Sequence, residues 1–429
     1  TKDELQSYFG RANVSIADKY LLTATLRVDG SSKFGGSNKY GYFPSFAAKW
    51  KILNEDFMPK GGFFDDLALR VGYGKTGNQN IPHNLYDQRD RYNDWGAGND
   101  AANLSGGGLS PVTFNNPNLK WETTASYNLG VDFAILKNRL SGSIEYYQKN
   151  TKDLLFQVIS AQPAPTPFAW KNLNTDIENK GFELNLTGVV VDNKDFSWEV
   201  LLNGAYNKNM VNNLEGVYDT GEISGQGLTG AFAQRLAAGQ PLFSFFLRPF
   251  GGFDASGNSI YPQGDFQQFM GYSALPTLTG GLTNNFKYKG FDLSFFFNGV
   301  FGNYIYNNTD NAYFTQGALN NGRNVTYNVV GNGEGAYNAP DVSSRFIQKG
   351  DFVRLQNFTI GYNVPTKGKV LSGLRLFLTG QNLFVITNYK GQDPEVNTNK
   401  TLNGISSLGI DYQAYPRART FTLGANFSF

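Results

Sequence analysis

Apolar and polar residues alternate with a period of two along nearly the whole chain. At the C-terminus Phe421, Leu423, Ala425, Phe427 and Phe429 alternate with Thr420, Thr422, Gly424, Asn426 and Ser428. In the segment from Trp121, the side formed by Trp121, Tyr127, Leu129, Val131 and Phe133 opposes Glu122, Thr124, Ser126, Asn128 and Asp132. The same reading sets Tyr20, Leu22, Ala24, Leu26 and Val28 against Thr23, Thr25, Arg27 and Asp29. It also sets Phe291, Leu293, Phe295 and Phe297 against Asp292, Ser294 and Asn298. Side chains of an extended strand point to opposite faces in turn, so each run predicts a strand with one greasy and one polar side.

A soluble antiparallel sandwich would alternate in the same way. Length separates the two cases. Strands of soluble proteins mostly run about 5 or 6 residues, whereas many runs here last about 9 to 13, the span of a tilted strand crossing a bilayer. Aromatics sit at the run ends, among them Tyr20, Trp50, Tyr73, Trp121, Trp198, Tyr206 and Phe429. Such girdles mark the two interfaces of a membrane barrel. The pattern therefore predicts an all-β chain folded as a transmembrane antiparallel β-barrel.

The connections fall into two alternating classes. Short ones lie at Ala17 to Lys19, Asn54 to Asp65, Leu136 to Asn138, Asp192 to Lys194, Lys287 to Gly290 and Pro365 to Lys369. Long ones run over Asp29 to Tyr40, Gly77 to Lys120, Asn150 to Ile177, Asn209 to Thr277, Asn303 to Gly350 and Ile386 to Arg417. Short periplasmic turns and long extracellular loops are the habit of outer-membrane barrels, and they give every strand a direction. The last strand then descends to Phe429, and the first, near Tyr8 to Ile16, descends too. The count must be odd: about 13 strands, or about 15 if Leu242 to Phe250 and Ser259 to Tyr261 form a further membrane hairpin. A complete single-chain barrel normally has an even number, so the parity predicts barrel strands upstream of Thr1.

Composition agrees with strands and excludes several functions. Aromatics make up 15% of the 429 residues and charged residues 17%, with 50 glycines. Net charge is +2, which offers no basic field for nucleic acid. Without cysteine there is no disulfide framework, Fe–S site or thiolate zinc site, and the single histidine, His83, has no second imidazole to complete a metal or catalytic set. No run approaches the roughly 18 apolar residues of a membrane helix, and Thr1 to Glu4 is neither an initiator Met nor a secretion signal. The chain is read as processed or as a fragment.

Several stretches resemble the SusC/RagA-type TonB-dependent outer-membrane transporters of Bacteroidota. They include Arg27-Val28-Asp29-Gly30-Ser31-Ser32-Lys33-Phe34-Gly35, Phe43-Pro44-Ser45 and Tyr73-Gly74-Lys75-Thr76-Gly77-Asn78-Gln79. Asn116-Pro117-Asn118-Leu119-Lys120-Trp121-Glu122, Asn179-Lys180-Gly181-Phe182-Glu183-Leu184, Gly380-Gln381-Asn382-Leu383-Phe384 and Asp393-Pro394-Glu395 belong to the same set. The resemblance covers the chain and implies the C-terminal part of a barrel of roughly 22 strands whose plug and first strands have no counterpart here. It further implies import of glycans or peptides, energised through TonB, with a SusD-like lipoprotein as lid and outer-membrane lipid around the wall.

On the polar face, Arg27, Arg70, Glu122, Asp132, Glu183, Glu199, Asp292, Arg354 and Arg375 mix both signs, as a hydrated lumen wall would. Around Leu355 to Phe358 the alternation slips by one, which predicts a bulge or an inward apolar side chain. Ligand recognition would fall to aromatics of the long loops: Tyr92, Trp95, Trp170, Tyr304, Tyr306, Tyr313, Tyr389 and Tyr412. Loop self-packing or contact with a lid protein is the duller role for the same rings.

Other chemistry is weighed and set aside. Gly72-Tyr73-Gly74-Lys75-Thr76-Gly77 spells a phosphate-loop pattern but is followed by no helix. Asp254, Ser256 and Asn258 read as a hairpin turn before a Ca²⁺ loop. Asp87, Asp90 and Asp94 are scattered carboxylates without a fixed frame for glycoside hydrolysis. No enzyme signature, cofactor or metal is expected. The rivals to import are a passive porin, a hydrolase using loop carboxylates and a structural barrel subunit of a larger assembly.

Overall fold

The computed structural model describes residues 3–59, 61–82, 116–159, 168–366, 372–402 and 404–429. The first eight strands are β1 (Leu5–Ile16), β2 (Tyr20–Ser31), β3 (Tyr40–Lys51), β4 (Phe64–Asn78), β5 (Glu122–Ile135), β6 (Leu140–Ile159), β7 (Phe168–Asp192) and β8 (Phe196–Leu214). Four short strands follow, β9 (Tyr218–Glu222), β10 (Phe232–Leu236), β11 (Ser244–Leu247) and β12 (Gln268–Ser273). Then come β13 (Leu278–Tyr288), β14 (Phe291–Phe301), β15 (Tyr304–Asn307), β16 (Ile347–Lys349), β17 (Phe352–Val364), β18 (Gly373–Thr387), β19 (Ile410–Asp411) and β20 (Thr420–Ser428).

Thirteen of these strands form one antiparallel meander, ordered β1-β2-β3-β4-β5-β6-β7-β8-β13-β14-β17-β18-β20. The smaller strand count is therefore the right one. The segment weighed as an extra membrane hairpin does not join the sheet: β11 sits in a separate four-stranded sheet, β12-β11-β10-β9, and Phe253 bridges Ser259 across the Asp254 turn. Asp254 Oδ1 accepts from the amides of Ser256 and Asn258 and so closes that turn.

Tight turns join the strands at one end. Ala17 and Asp18, Leu136 to Asn138, and Lys289 all take left-handed φ values between 51° and 61°, the twist that lets a short connection reverse an antiparallel pair. At the other end the connections are long and, among the described residues, carry structure of their own, namely the four-stranded sheet, a three-stranded sheet β16-β15-β19, and two short helices, α1 (Asn308–Tyr313) and α2 (Gln316–Asn320).

One expected loop is mostly strand. β6 and β7, 20 and 25 residues long, continue well into the stretch from Asn150 to Ile177 that the alternation had left as a connection. Asp153, at φ 57°, is a bulge where the register shifts between Lys152 and Leu154, and past it Leu154, Leu155 and Phe156 no longer alternate with polar residues. The predicted slip near Leu355 is present as well: the β17–β18 register shifts between Leu355 and Asn357.

Register fixes the two faces of the sheet. One row runs Leu22, Ala48, Val71, Leu129, Tyr146, Phe182, Tyr206, Leu278 and Phe301 across consecutive strands. These apolar side chains are not in a core: Leu129 is 49% exposed, Phe182 54%, and on β20 Leu423 is 83% exposed. A continuous apolar belt of this extent far exceeds the few hundred Å² that a monomer keeps in water, so its solvent is lipid. The packed cores lie elsewhere, at the long-connection end, in three clusters around Phe245 and Tyr306, around Phe43 and Trp121, and around Ile177 and Val211.

Candidate functional site

The opposite face of the sheet carries all nine charged residues singled out above. Register links Arg27 to Phe43, Arg70 to Lys49 and Gly130, Glu145 to Glu183, Glu199 to Asn285, and Asp292 to Gly361 on a single side. Within it the charges are mostly paired with one another. Asp132 receives Lys49 Nζ at 2.9 Å and Arg70 Nε at 3.0 Å, and Arg70 Nη1 reaches Glu145 at 3.0 Å. Arg375 donates to both oxygens of Asp292, at 3.2 and 2.6 Å. Glu122 accepts from Asn78 and from the Leu155 amide, and Glu199 from Asn285. Arg27 pairs with Asp29, two residues along its own strand, at 2.7 Å and donates weakly to the Ser7 hydroxyl at 3.4 Å; its side chain is 52% exposed. Such pairing satisfies the groups that strand alternation forces inward and leaves a wall of nearly balanced charge.

Arg354 is different because it is buried. It is 3% exposed, with Nη2 2.5 Å from Asp393, while Nε lies 2.7 Å from Glu395 in a contact too off-axis for a good hydrogen bond. Glu395 also holds Arg417 at 3.2 Å. The connection between β18 and β20 is thus clamped to the wall through one guanidinium.

The wall is not wholly polar at its upper end. Phe43, on the same face as Arg27, packs edge-on to Trp121 with centroids 5.4 Å apart, and Phe34, Leu119, Ile81 and Leu155 complete the cluster. Trp121 was expected in an aromatic girdle; instead it is buried and donates its indole N–H to the Lys39 carbonyl. The last glycine of the phosphate-loop pattern finds its explanation here, whereas Gly72 and Gly74 have room for a side chain. All three lie on β4, and a side chain at Gly77 would overlap the Phe43 ring and press on Trp121.

The aromatics expected to meet ligand scatter among different surroundings. Tyr92 and Trp95, like His83 and the three nearby aspartates, lie outside the described residues. Trp170 is on β7, half-buried against the Phe43 cluster, so it is a strand residue and not a loop one. Tyr306 is fully buried in the core of the loop assembly, where Asn311 donates to its hydroxyl and burial pushes its pKa up. Tyr389 is 5% exposed and donates to Asp411 at 2.6 Å. Neither ring offers a free face. Tyr304 stacks on Tyr272 with centroids 4.2 Å apart. Tyr313 and Tyr412 stack at 6.0 Å and share a hydrogen bond of 3.0 Å between their hydroxyls.

Polar groups that sequence reasoning missed hold this assembly together. Glu334 is buried beneath a forked contact from Arg345, at 2.6 and 2.7 Å, and also accepts from Asn338 and the Gln316 amide. Asp310 is pushed up to about 6 by burial and by the neighbouring charge of Asp411. Their spacing in the chain is irregular, and no periodic signal marks them.

With this geometry in view, similarity to known proteins decides the family. A family model described as "TonB dependent receptor-like, beta-barrel" matches residues 1–383. The chain belongs to the TonB-dependent receptor β-barrel family. Among curated relatives of this receptor chain, TonB-dependent receptor P3 of Formosa agariphila is 33% identical over 99% of it. TonB-dependent receptor SusC of Bacteroides thetaiotaomicron is 33% identical over all of it. The chain spans about half the length of these relatives, 46% and 44% respectively. The solved RagAB peptide transporter shares the fold, with a TM-score of 0.82 over 99% of this receptor chain and 48% of that one, at 23% identity. The fold expected from alternation, and the SusC-type resemblance, are both confirmed.

Proposed function

We propose that this chain is part of an outer-membrane nutrient importer, energised through TonB, that takes up oligosaccharides or peptides together with a SusD-like surface lipoprotein. The long connections face the outside and the tight turns the periplasm. The observation that carries the reading is the pairing of an exposed apolar belt with a charge-balanced polar wall, in a chain that aligns with SusC throughout. The belt suits lipid and the wall suits a hydrated interior. Capture takes place at the outer assembly, and the cargo passes along the wall without bond cleavage.

The test is uptake by cells producing the full-length protein, with and without TonB, and with the proton gradient collapsed. Accumulation of intact cargo is expected to stop when either is removed. Uptake that continues unchanged marks a passive pore, and cargo recovered in pieces in the absence of other enzymes marks a hydrolase. Either result refutes the proposal.

A further inference from the structure

In the loop assembly two cations lie over the stacked tyrosines. The Arg323 guanidinium lies over Tyr313, 5.5 Å from its centroid, and Lys400 Nζ lies over Tyr412 at 4.1 Å. The tyrosines hold each other by their stacked faces and their hydroxyl contact, and each carries one of the two cations. Arg323 is exposed, and its backbone amide is tied to the Ala318 carbonyl at 3.1 Å. Lys400 is half-buried and donates to the Ser224 hydroxyl. Among the described residues neither forms an ion pair; Glu222 is the carboxylate whose field reaches Lys400, and its own amide donates to the Lys400 carbonyl.

Arg323 also lines an open groove of about 340 Å³. Ala312, Ala318, Gln226, Asn321 and Tyr337 line it as well. The Tyr337 ring is 94% exposed. Glu334, the buried carboxylate bonded to Asn338 of the same groove, is already neutralised by Arg345 and does not oppose an anion. A guanidinium stacked on a ring by its face keeps its N–H edge free for a carboxylate or sulfate. An exposed aromatic with neighbouring amides suits a sugar ring, whose apolar face stacks while its hydroxyls hydrogen-bond.

We infer that Arg323 and Tyr337, with the amides of Gln226 and Asn321 beside them, form a recognition site for an acidic oligosaccharide, one whose sugars carry carboxylate or sulfate groups. The inference rests on the import reading and narrows its cargo. It is tested by titrating the purified full-length receptor in detergent with oligogalacturonate, with the same oligomer methyl-esterified to remove its charge, and with a glutamate-rich peptide. Oligogalacturonate is expected to bind more tightly than the neutral ester, with affinity falling as salt rises. Arg323→Gln should weaken it about tenfold, while Arg323→Lys keeps part of the affinity. Folding of each variant is checked by heat-dependent migration in detergent gels. Equal binding of the acidic and neutral oligomers, no binding of either, or loss of peptide binding alone in the variants would overturn the assignment. TonB-dependent uptake of some other cargo would leave the import reading intact, whereas tight binding without any uptake would spare this site and remove that reading.

Discussion

The assignment of the sheet faces can be tested on two adjacent residues of one strand. Leu282 is the fifth of 11 residues in β13 and pairs with Leu202 and Phe297, both on the apolar belt. Thr283 follows it and pairs with Leu201 and Phe296 on the other face. With a rise of about 3.4 Å per residue and a tilt of about 40°, Leu282 lies roughly 10 Å in depth from Leu278 and roughly 16 Å from Tyr288. That places it near the middle of an apolar band about 25 Å tall, where an arginine facing lipid costs about 2–4 kcal/mol. Leu282→Arg should therefore lower the unfolding free energy by about that amount, whereas Thr283→Arg should change it by less than about 1 kcal/mol. Guanidinium unfolding of the full-length protein in lipid vesicles, followed by tryptophan emission, reads both values. A larger cost at Thr283, or equal costs at the two positions, would refute the face assignment and the membrane reading with it.

Other outcomes follow from the outer assembly. Arg354→Met leaves Asp393 buried beside a neutral side chain, and breaking such a pair costs about 3–5 kcal/mol; hydrogen exchange between β18 and β20 should accelerate, and unchanged protection would refute the clamp. Asp310 has a folded pKa of about 6, above its unfolded value, so the folded state binds the extra proton. The assembly should lose protection as pH rises from about 4 to about 6, and Asp310→Asn should flatten that profile. Gly77→Ala forces Phe43 or Trp121 aside, at a cost of about 1–3 kcal/mol, visible as a shift in Trp121 emission when the other tryptophans are replaced.

Much of the wall could be read before the coordinates. Alternation is imposed by lipid on one side and water on the other, so it survives in sequence, and the turns declare themselves where it stops. The bulge near Leu355 shows as a phase slip for the same reason. Legibility ends where the strands leave the membrane. Beyond Asp153, β6 and β7 are covered on both sides by neighbouring structure, the selection for alternation lapses, and strand looks like loop. Tyr306 and Tyr389 fail for a related reason: long connections were treated as surface, yet these connections bury enough apolar area to have an interior, and an aromatic in an irregular stretch carries no mark of which side it faces. Trp121 was misplaced because it precedes β5 and is outside the strand's alternation.

The overlong hairpin has a mechanical consequence. β6, β7 and β8 rise past the apolar belt, and there Leu173, Ile177, Val211 and Leu214 grip Leu236 of β10, so the small outer sheet is bolted to a stiff mast and not hung from slack chain. Force applied by a partner on that sheet is then delivered to the barrel staves as bending, with little of it dissipated on the way down.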